Sequence, residues 1–340
     1  MQEYFIGTGG WAFFDVPGIQ SLPAYSRAFD FVEVNSTFYR FPSLKQVERW
    51  RRLVPEGFTF SVRAHRAITH KNKLQPTQET IEAFEKMRSI CSILRADILH
   101  MQIPATVELT SHALKRFLNS VTLGGLRIAL EIRASRQSEI PEDLAATMKD
   151  NDIIHSVDLS RGETPAYKSD TLYTRLFGRG EQNVYEPTDE ELTEIDSKAK
   201  ESCSQKVKMS FHFVKMYKDA ARLKIYKHTG KFPSVTRSKG YSSLEEVLKE
   251  DAPFPISKER LIEKQGWKLF DETENKRTRV KEVLEKLPEA NYSTLESVVC
   301  ALQVQHALDQ ITVDLTADSR TRNQNAKFRR PRQRGNQICI

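Results

Sequence analysis

The chain has 340 residues, 39% of them hydrophobic and 29% charged, with a formal net charge of +7. That length suits one large unit with a small appendage, and the composition is that of a globular protein, which excludes a disordered chain. No stretch nears the run of about 18 apolar residues that crosses a bilayer, so no membrane partner is expected.

From Tyr4 to about residue 228, short β-branched or aromatic runs alternate with helical patterns. Strands are predicted at Tyr4–Gly10, Phe31–Thr37, Phe58–His65, Asp97–Pro104, Arg127–Ala134, Asp152–Ser160, Leu172–Gly178 and Val207–Phe213. Helices are predicted at Leu22–Phe29, Leu44–Leu53, Thr77–Leu94, Ser111–Ser120, Pro141–Lys149, Thr188–Lys200 and Met216–Lys227. Only Arg161–Asp170, which carries Gly and Pro, lacks a helical pattern between two strands. Strands joined by crossovers pair in parallel, and closing the sheet removes its exposed edges. The expected fold is an α/β (β/α)8 TIM barrel over residues 1–228. An open doubly wound sheet is the alternative, and it gives no reason for the polar pattern described below. The chain starts directly in the first strand, without the basic and apolar regions of a leader peptide, so a cytoplasmic protein is expected.

Residues 229–300 differ in style, with Lys/Glu-rich helices and turns at Gly230, Pro233, Gly240 and Pro255. Ser242-Ser243-Leu244-Glu245 reads as a capping box opening a helix to about Lys249. Ser257 is placed to cap a second helix ending near Gly266, followed by strand-like Trp267-Lys268-Leu269-Phe270. A third helix is predicted over Arg277–Leu287. The order suits either a small winged-helix-like module, with Arg277, Arg279 and Lys281 facing nucleic acid, or a helical flap. Residues 301–340 read as a basic, flexible tail. From residue 313 onward, seven Lys/Arg (Arg320, Arg322, Lys327, Arg329, Arg330, Arg332, Arg334) face only Asp314 and Asp318, so most of the net charge sits there. Such an arm attracts phosphate backbones without sequence preference, or is merely solvated. Cysteines at 91, 203, 300 and 339 form no CxxC pair, which argues against a structural zinc or a disulfide framework.

Side chains alternate faces along a strand, so parity sorts each one into a helix-covered exterior and a barrel lumen. Val32 and Val34 oppose Glu33 and Asn35. Phe58, Phe60 and Val62 oppose Thr59, Ser61, Arg63 and His65. Leu99, Met101 and Ile103 oppose His100 and Gln102, and Ile128, Leu130 and Ile132 oppose Ala129, Glu131 and Arg133. Ser156, Asp158 and Ser160 share a face, as do Tyr173 with Arg175, and Lys208, Ser210 with His212. Helices cover the outside of a barrel, so the apolar sets belong there and the polar sets point inward. Buried charges cost several kcal/mol each, roughly, unless paired, so this lumen must pair them internally or bind a ligand.

These strand ends resemble the YecE-like family, domain of unknown function 72. The matching segments are Ile6-Gly7-Thr8-Gly9-Gly10-Trp11, Val32-Glu33-Val34-Asn35-Ser36-Thr37-Phe38-Tyr39-Arg40, Phe60-Ser61-Val62-Arg63-Ala64 with Ile68-Thr69-His70, then Gln102-Ile103-Pro104 and Glu131-Ile132-Arg133. They span about residues 1–225. The resemblance implies a TIM barrel and names no reaction. The chain also departs from the family pattern. Strand seven ends Arg175-Leu176-Phe177-Gly178 where Arg-x-His-Gly is common, and strand eight reads Phe211-His212-Phe213 where Phe-Asn-Asn is common.

Arg63, Arg133 and Arg175 come from three strands, and their planar forks suit phosphate or carboxylate. Glu33 and Glu131 are the leading general acid/base candidates, with Asp158 and His70 beside them. The alternative is that each Glu pairs with an Arg and merely holds the lumen shut. Asn35, Gln102 and His212 are placed to orient a substrate, and Tyr39 and Trp11 to stack on a base or sugar or to pack the rim. Gly7–Gly10 allows close approach of a ligand to the backbone but lacks the Lys-Ser/Thr sequel of a P-loop. A divalent metal, Mg²⁺ or Mn²⁺, is a secondary expectation, held by Asp158, Glu131, Glu33 and His212 with His70 nearby. A metal-free electrostatic site is the simpler one. The expected function is a hydrolase of phosphoester substrates, foremost a nuclease acting through the mouth and the tail. The alternatives are a sugar or sugar-phosphate enzyme and a non-catalytic nucleic-acid-binding protein.

Overall fold

A computed structural model describes residues 2–133 and 140–308. Ala134, expected at a strand end, and the basic stretch 309–340 with Cys339 lie outside the described residues. The chain divides into two compact units, Met1–Pro233 and Ser234–Ile340.

The first unit carries strands β1 (Glu3–Thr8), β2 (Phe31–Val34), β3 (Thr59–Arg63), β4 (Ile98–Ile103), β5 (Arg127–Ile132), β6 (Ile154–His155), β7 (Thr171–Leu176) and β8 (Lys206–Phe211). They pair in parallel in the order β6-β5-β4-β3-β2-β1-β8-β7. A single parallel bridge, Val157 to Thr174, joins the two ends, so the sheet is a nearly closed (β/α)8 barrel. Around it run α1 (Ser21–Ala28), α2 (Leu44–Arg52), α3 (Gln78–Leu94), α4 (Ser111–Ser120), α5 (Glu142–Asp150), α6 (Asp189–Glu201) and α7 (Met216–Thr229). Ser43, Thr77 and Thr110 each cap a helix by accepting an orphan backbone N–H, and Thr188 with Glu191 forms a full capping box. Between β6 and β7 there is no α-helix, only the single turn Leu159–Arg161, as the Pro- and Gly-bearing sequence foreshadows.

Parity divides the core as expected. Ile6, Val32, Val34, Phe60, Val62, Leu99, Met101, Leu130, Val207 and Met209 pack outward against the helices. Phe31, Ile98, Ala129, Ile154 and Tyr173, with Phe5 against them, form a separate apolar layer across the lower lumen. This layer seals the amino end and leaves the upper lumen to the polar residues.

The second unit holds α8 (Tyr241–Lys249), β9 (Ile256–Ser257), α9 (Lys258–Gln265), β10 (Leu269–Thr273), β11 (Lys276–Arg279), α10 (Val280–Leu284) and β12 (Asn291–Tyr292). Strands β10 and β11 form an antiparallel hairpin, and β9 pairs with β12. The core gathers Leu244, Val247, Leu261, Phe270, Val280 and Val298. Ser257 caps α9 through Arg260 N. Three expectations change here. The Ser242 capping box does not form, because α8 already begins at Tyr241 and the Ser243 hydroxyl instead accepts Asp271 N–H at 2.8 Å. Arg277 and Arg279 lie on β11 rather than on a helix, and the Arg277 guanidinium is buried on Asp271, 3.3 Å from Nε, so it does not face a nucleic acid. Residues 301–308, expected in the tail, continue a helix over 295–308. No helix among the described residues is long and apolar enough to cross a membrane.

Candidate functional site

The polar lumen stands on Tyr173, whose ring belongs to the apolar layer and whose hydroxyl faces upward. That hydroxyl donates to Glu33 Oε2 at 2.7 Å and lies 2.7 Å from Ser61 Oγ. The imidazole of His100, fully buried, stacks on the Tyr173 ring at 5.6 Å.

Above this floor, Arg175 binds both carboxylates. Its Nε and Nη2 each lie 3.0 Å from an oxygen of Glu33, and its Nη1 donates to Glu131 Oε2 at 2.7 Å. His212 Nε2 approaches Glu33 at 3.4 Å, and His100 Nε2 lies 3.2 Å from Glu131 but off the hydrogen-bond line. Arg133 Nε donates to the other Glu131 oxygen at 2.6 Å. Burial, the largest single effect, would raise both carboxyl pKa values, but Arg175 acting with His100, and with His212 and Tyr173 at Glu33 or Arg133 at Glu131, holds both well below the ordinary carboxylate range. Both carboxylates are shifted in the same direction, so their pKa values are not driven apart in the way the sequence reading anticipates. Glu33 and Glu131 are anchors for Arg175.

Arg63 is different. It is 9% exposed, and its Nη1 and Nη2 donate to the neutral amide oxygens of Asn35 and Gln102, both at 2.8 Å. Its guanidinium lies 3.9 Å from the centre of the Phe38 ring, and its buried Nε has no partner among the described residues. Burial, then repulsion from Arg175, pull its pKa down to about 10, so it remains charged at neutral pH. No carboxylate among the described residues pairs with it. The cluster of Arg63, Arg133 and Arg175 against Glu33 and Glu131 is therefore one positive charge in excess. Arg133 adds an outer fork, its guanidinium 5.1 Å from the Phe177 ring.

Three titratable groups surround this excess. His70 sits on a π-helical turn, Ala67–Lys71, with Nδ1 held 2.8 Å from Thr69 Oγ1 and its ring edge on Phe38. Burial lowers its pKa, and the fields of Arg63 and Arg133 lower it further, so the imidazole is neutral. Burial and Arg175 drive His212 down to about 3. Its ring stacks on Phe177 at 4.6 Å and fills the space beside Gly9, where a methyl group would come within 2.2 Å of it. Asp158, in contrast, is pushed up to about 6 by burial. Its oxygens cap the turn at Ser160 and accept Phe177 N–H at 3.0 Å, beside a cleft shared with Glu131, Arg133 and Arg161.

The predicted residues therefore separate. Glu33, Asn35, Arg63, Gln102, Glu131, Arg133, Arg175 and His212 form one network, with His70 and Asp158 at its edges. Trp11 instead packs edge-on against Trp50 of α2 at 5.2 Å, and Tyr39 stands exposed on the rim. His65 leaves the lumen because β3 ends at Arg63, and it stacks on Phe41 at 4.0 Å. Gly7 and Gly9 admit Phe31 O and the His212 ring rather than a ligand. Lys208 lies in the lower lumen, bound to Asp97 at 2.5 Å. The expected Mg²⁺ or Mn²⁺ quartet does not assemble. Among the described residues no three His, Cys, Asp or Glu side chains are placed to hold a metal ion; Arg175 bridges Glu33 and Glu131, and Asp158 caps its own turn. Sequence reasoning missed Phe38 and Phe177, the ring surfaces under Arg63 and Arg133. Phe177 falls two residues after Arg175, just past the end of β7 at Leu176, and that parity is the signal the sequence offers for it.

A family model described as "Protein of unknown function DUF72" matches residues 5–229. Among curated proteins, the UPF0759 protein YunF of Bacillus subtilis (strain 168) is 27% identical over 206 residues, covering 54% of this chain and 73% of that protein. The UPF0759 protein YecE of Escherichia coli (strain K12) is 33% identical over 119 residues, covering 34% of this chain and 42% of that protein. A DUF72 family protein of Thermotoga maritima MSB8 has a similar fold, with a TM-score of 0.54 at 19% identity over 67% of this chain and all of that one. One from Enterococcus faecalis V583 scores 0.53 at 19% identity, over 68% of this chain and 98% of that one.

Proposed function

The chain belongs to the DUF72 family of proteins of unknown function, and on that premise we propose that its barrel mouth is a phosphoester-binding site and that the protein is a hydrolase of such esters, nucleic-acid phosphodiesters foremost. The observation that carries this reading is Arg63, a buried guanidinium hydrogen-bonded to amide oxygens and, among the described residues, left without a counter-charge. A phosphate seated against Arg63 and Arg133 neutralises the excess and takes charge-assisted hydrogen bonds from both forks. Neutral His70 then accepts a proton from an attacking water, the P–O ester bond breaks, and the leaving oxygen is protonated from solvent at the open mouth. Exposed Tyr39 offers a ring for a base to stack on.

The test is a hydrolysis panel of single- and double-stranded DNA and RNA, nucleotides and sugar phosphates, each with and without EDTA. Turnover that Arg63→Met slows by about tenfold or more, through KM, is the expected result. No turnover of any phosphoester, together with phosphate binding that Arg63→Met leaves unchanged, overturns the reading. A second reading, a sugar-phosphate enzyme, draws on the small cleft between Arg133 and Asp158. Turnover confined to the small phosphates would select it.

A further inference from the structure

Each outer strand face of a (β/α)8 barrel needs cover, normally from the helix that follows the strand. Between β6 and β7 that helix is missing, and the coil after Leu159–Arg161 spans the face instead. It leaves a cavity of about 310 Å³ at the seam between β6 and β7, lined by none of the mouth residues. Ile154, Leu159, Leu172 and the Tyr167 ring supply apolar walls. Tyr167 is fixed there by its hydroxyl, which donates to Ile153 O.

The polar groups of the lining are mostly engaged. Ser202 Oγ donates to Ala199 O at 2.7 Å, Ser204 Oγ to Ser169 O at 2.9 Å, and Lys198 Nζ to Glu194 at 2.6 Å. Two groups are not. His155 Nδ1 accepts Ala166 N–H at 3.0 Å, which fixes the Nε2–H tautomer and leaves that N–H with no partner among the described residues. Burial lowers the pKa of this ring to about 4, so it is a neutral donor at physiological pH. Lys168 also lines the space and makes no ion pair among the described residues. A cation, Lys168, and a neutral donor, His155, over apolar walls match a carboxylate on an apolar body, with the exposed Glu201 carboxylate elsewhere in the same lining. The volume lies at the lower end of the roughly 300–1,000 Å³ range of small-molecule sites, which limits that body to a single ring or its equivalent.

We propose that this cavity is a second ligand site, for a small aromatic or branched monocarboxylate whose carboxylate meets Lys168 and His155. Benzoate is the probe, titrated into the full chain by calorimetry and followed by ligand-observed NMR, with benzyl alcohol as its uncharged counterpart. Saturable benzoate binding is expected, and Lys168→Met should weaken it by about tenfold while sparing benzyl alcohol. Ala166→Trp, at an exposed position on the lip, should weaken both. Arg63→Met should leave both unchanged, which separates this site from the mouth. The proposal fails if benzoate does not bind saturably, if Lys168→Met leaves its affinity intact, or if Arg63→Met abolishes binding. Lys168 is exposed, so its replacement keeps the test valid even if the tryptophan variant does not fold.

Discussion

At its amino end the barrel lumen holds one buried cation, Lys208, matched by Asp97 over a layer of apolar side chains; at its carboxyl end it holds three arginines for two carboxylates. Asp97 is half-exposed, so water shares in neutralising the lower pair. The upper pairs, Arg175 with Glu33 and Glu131, are nearly or wholly buried and rely on each other. Opposite charges that cancel hold a lumen shut. A charge left over, as at Arg63, is what the proposed phosphate site rests on.

Four measurements break or sharpen this contrast. The largest effect is expected from Arg175→Met, which strands two buried carboxylates and should cost about 3–5 kcal/mol in urea unfolding at pH 7. A loss below about 1 kcal/mol would mean that the upper network is not what holds the lumen together. Acid comes next. His212 has a folded pKa of about 3, against about 6.5 in the unfolded chain. Between those values only the unfolded state takes up the proton. Its contribution to stability is therefore complete above pH 6.5 and falls as pH drops, by about 1.4 kcal/mol per pH unit. Glu33, also depressed, adds loss in the same direction at lower pH. Urea midpoints from pH 7 to pH 4 should decline less steeply in His212→Gln. An unchanged slope would place the acid sensitivity elsewhere.

Third, Arg63→Met should weaken inorganic phosphate binding by about tenfold to a hundredfold, the worth of a charged hydrogen bond, while stability shifts by no more than about 1 kcal/mol. A stability loss as large as that of Arg175→Met would show Arg63 to be structural. The smallest effect is expected at the lower end, where Lys208→Met should change stability by less than about 1 kcal/mol in either direction, because Asp97 can return to water. A large loss there would erase the difference between the two ends.

Much of this architecture was legible because alternation is a local property. Glu33 between Val32 and Val34, or Glu131 between Leu130 and Ile132, announces which side is the lumen before any partner is known. The convergence of strands was not legible. Arg175 takes both carboxylates because β2, β5 and β7 meet across a closed barrel, and no spacing along the chain encodes that distance. For the same reason Glu33 and Glu131 read as a working acid/base pair in sequence and are two anchors of one guanidinium in space. His65 misled because parity continues on paper after the backbone has turned away at Arg63. In the second unit, Lys276–Arg279 carries too few apolar residues to register a period, and pairing with β10 decided its conformation.

The missing sixth helix also bears on where the chain could be cut. Six of the seven connections between the eight strands carry an α-helix, and new termini there would break packed structure. The β6–β7 connection contains one short turn, and a single bridge spans the seam beside it. A circularly permuted gene that opens between Gly162 and Ser169 would keep every helix of the barrel whole, which makes this segment the natural starting point for rearranged or split versions of the protein.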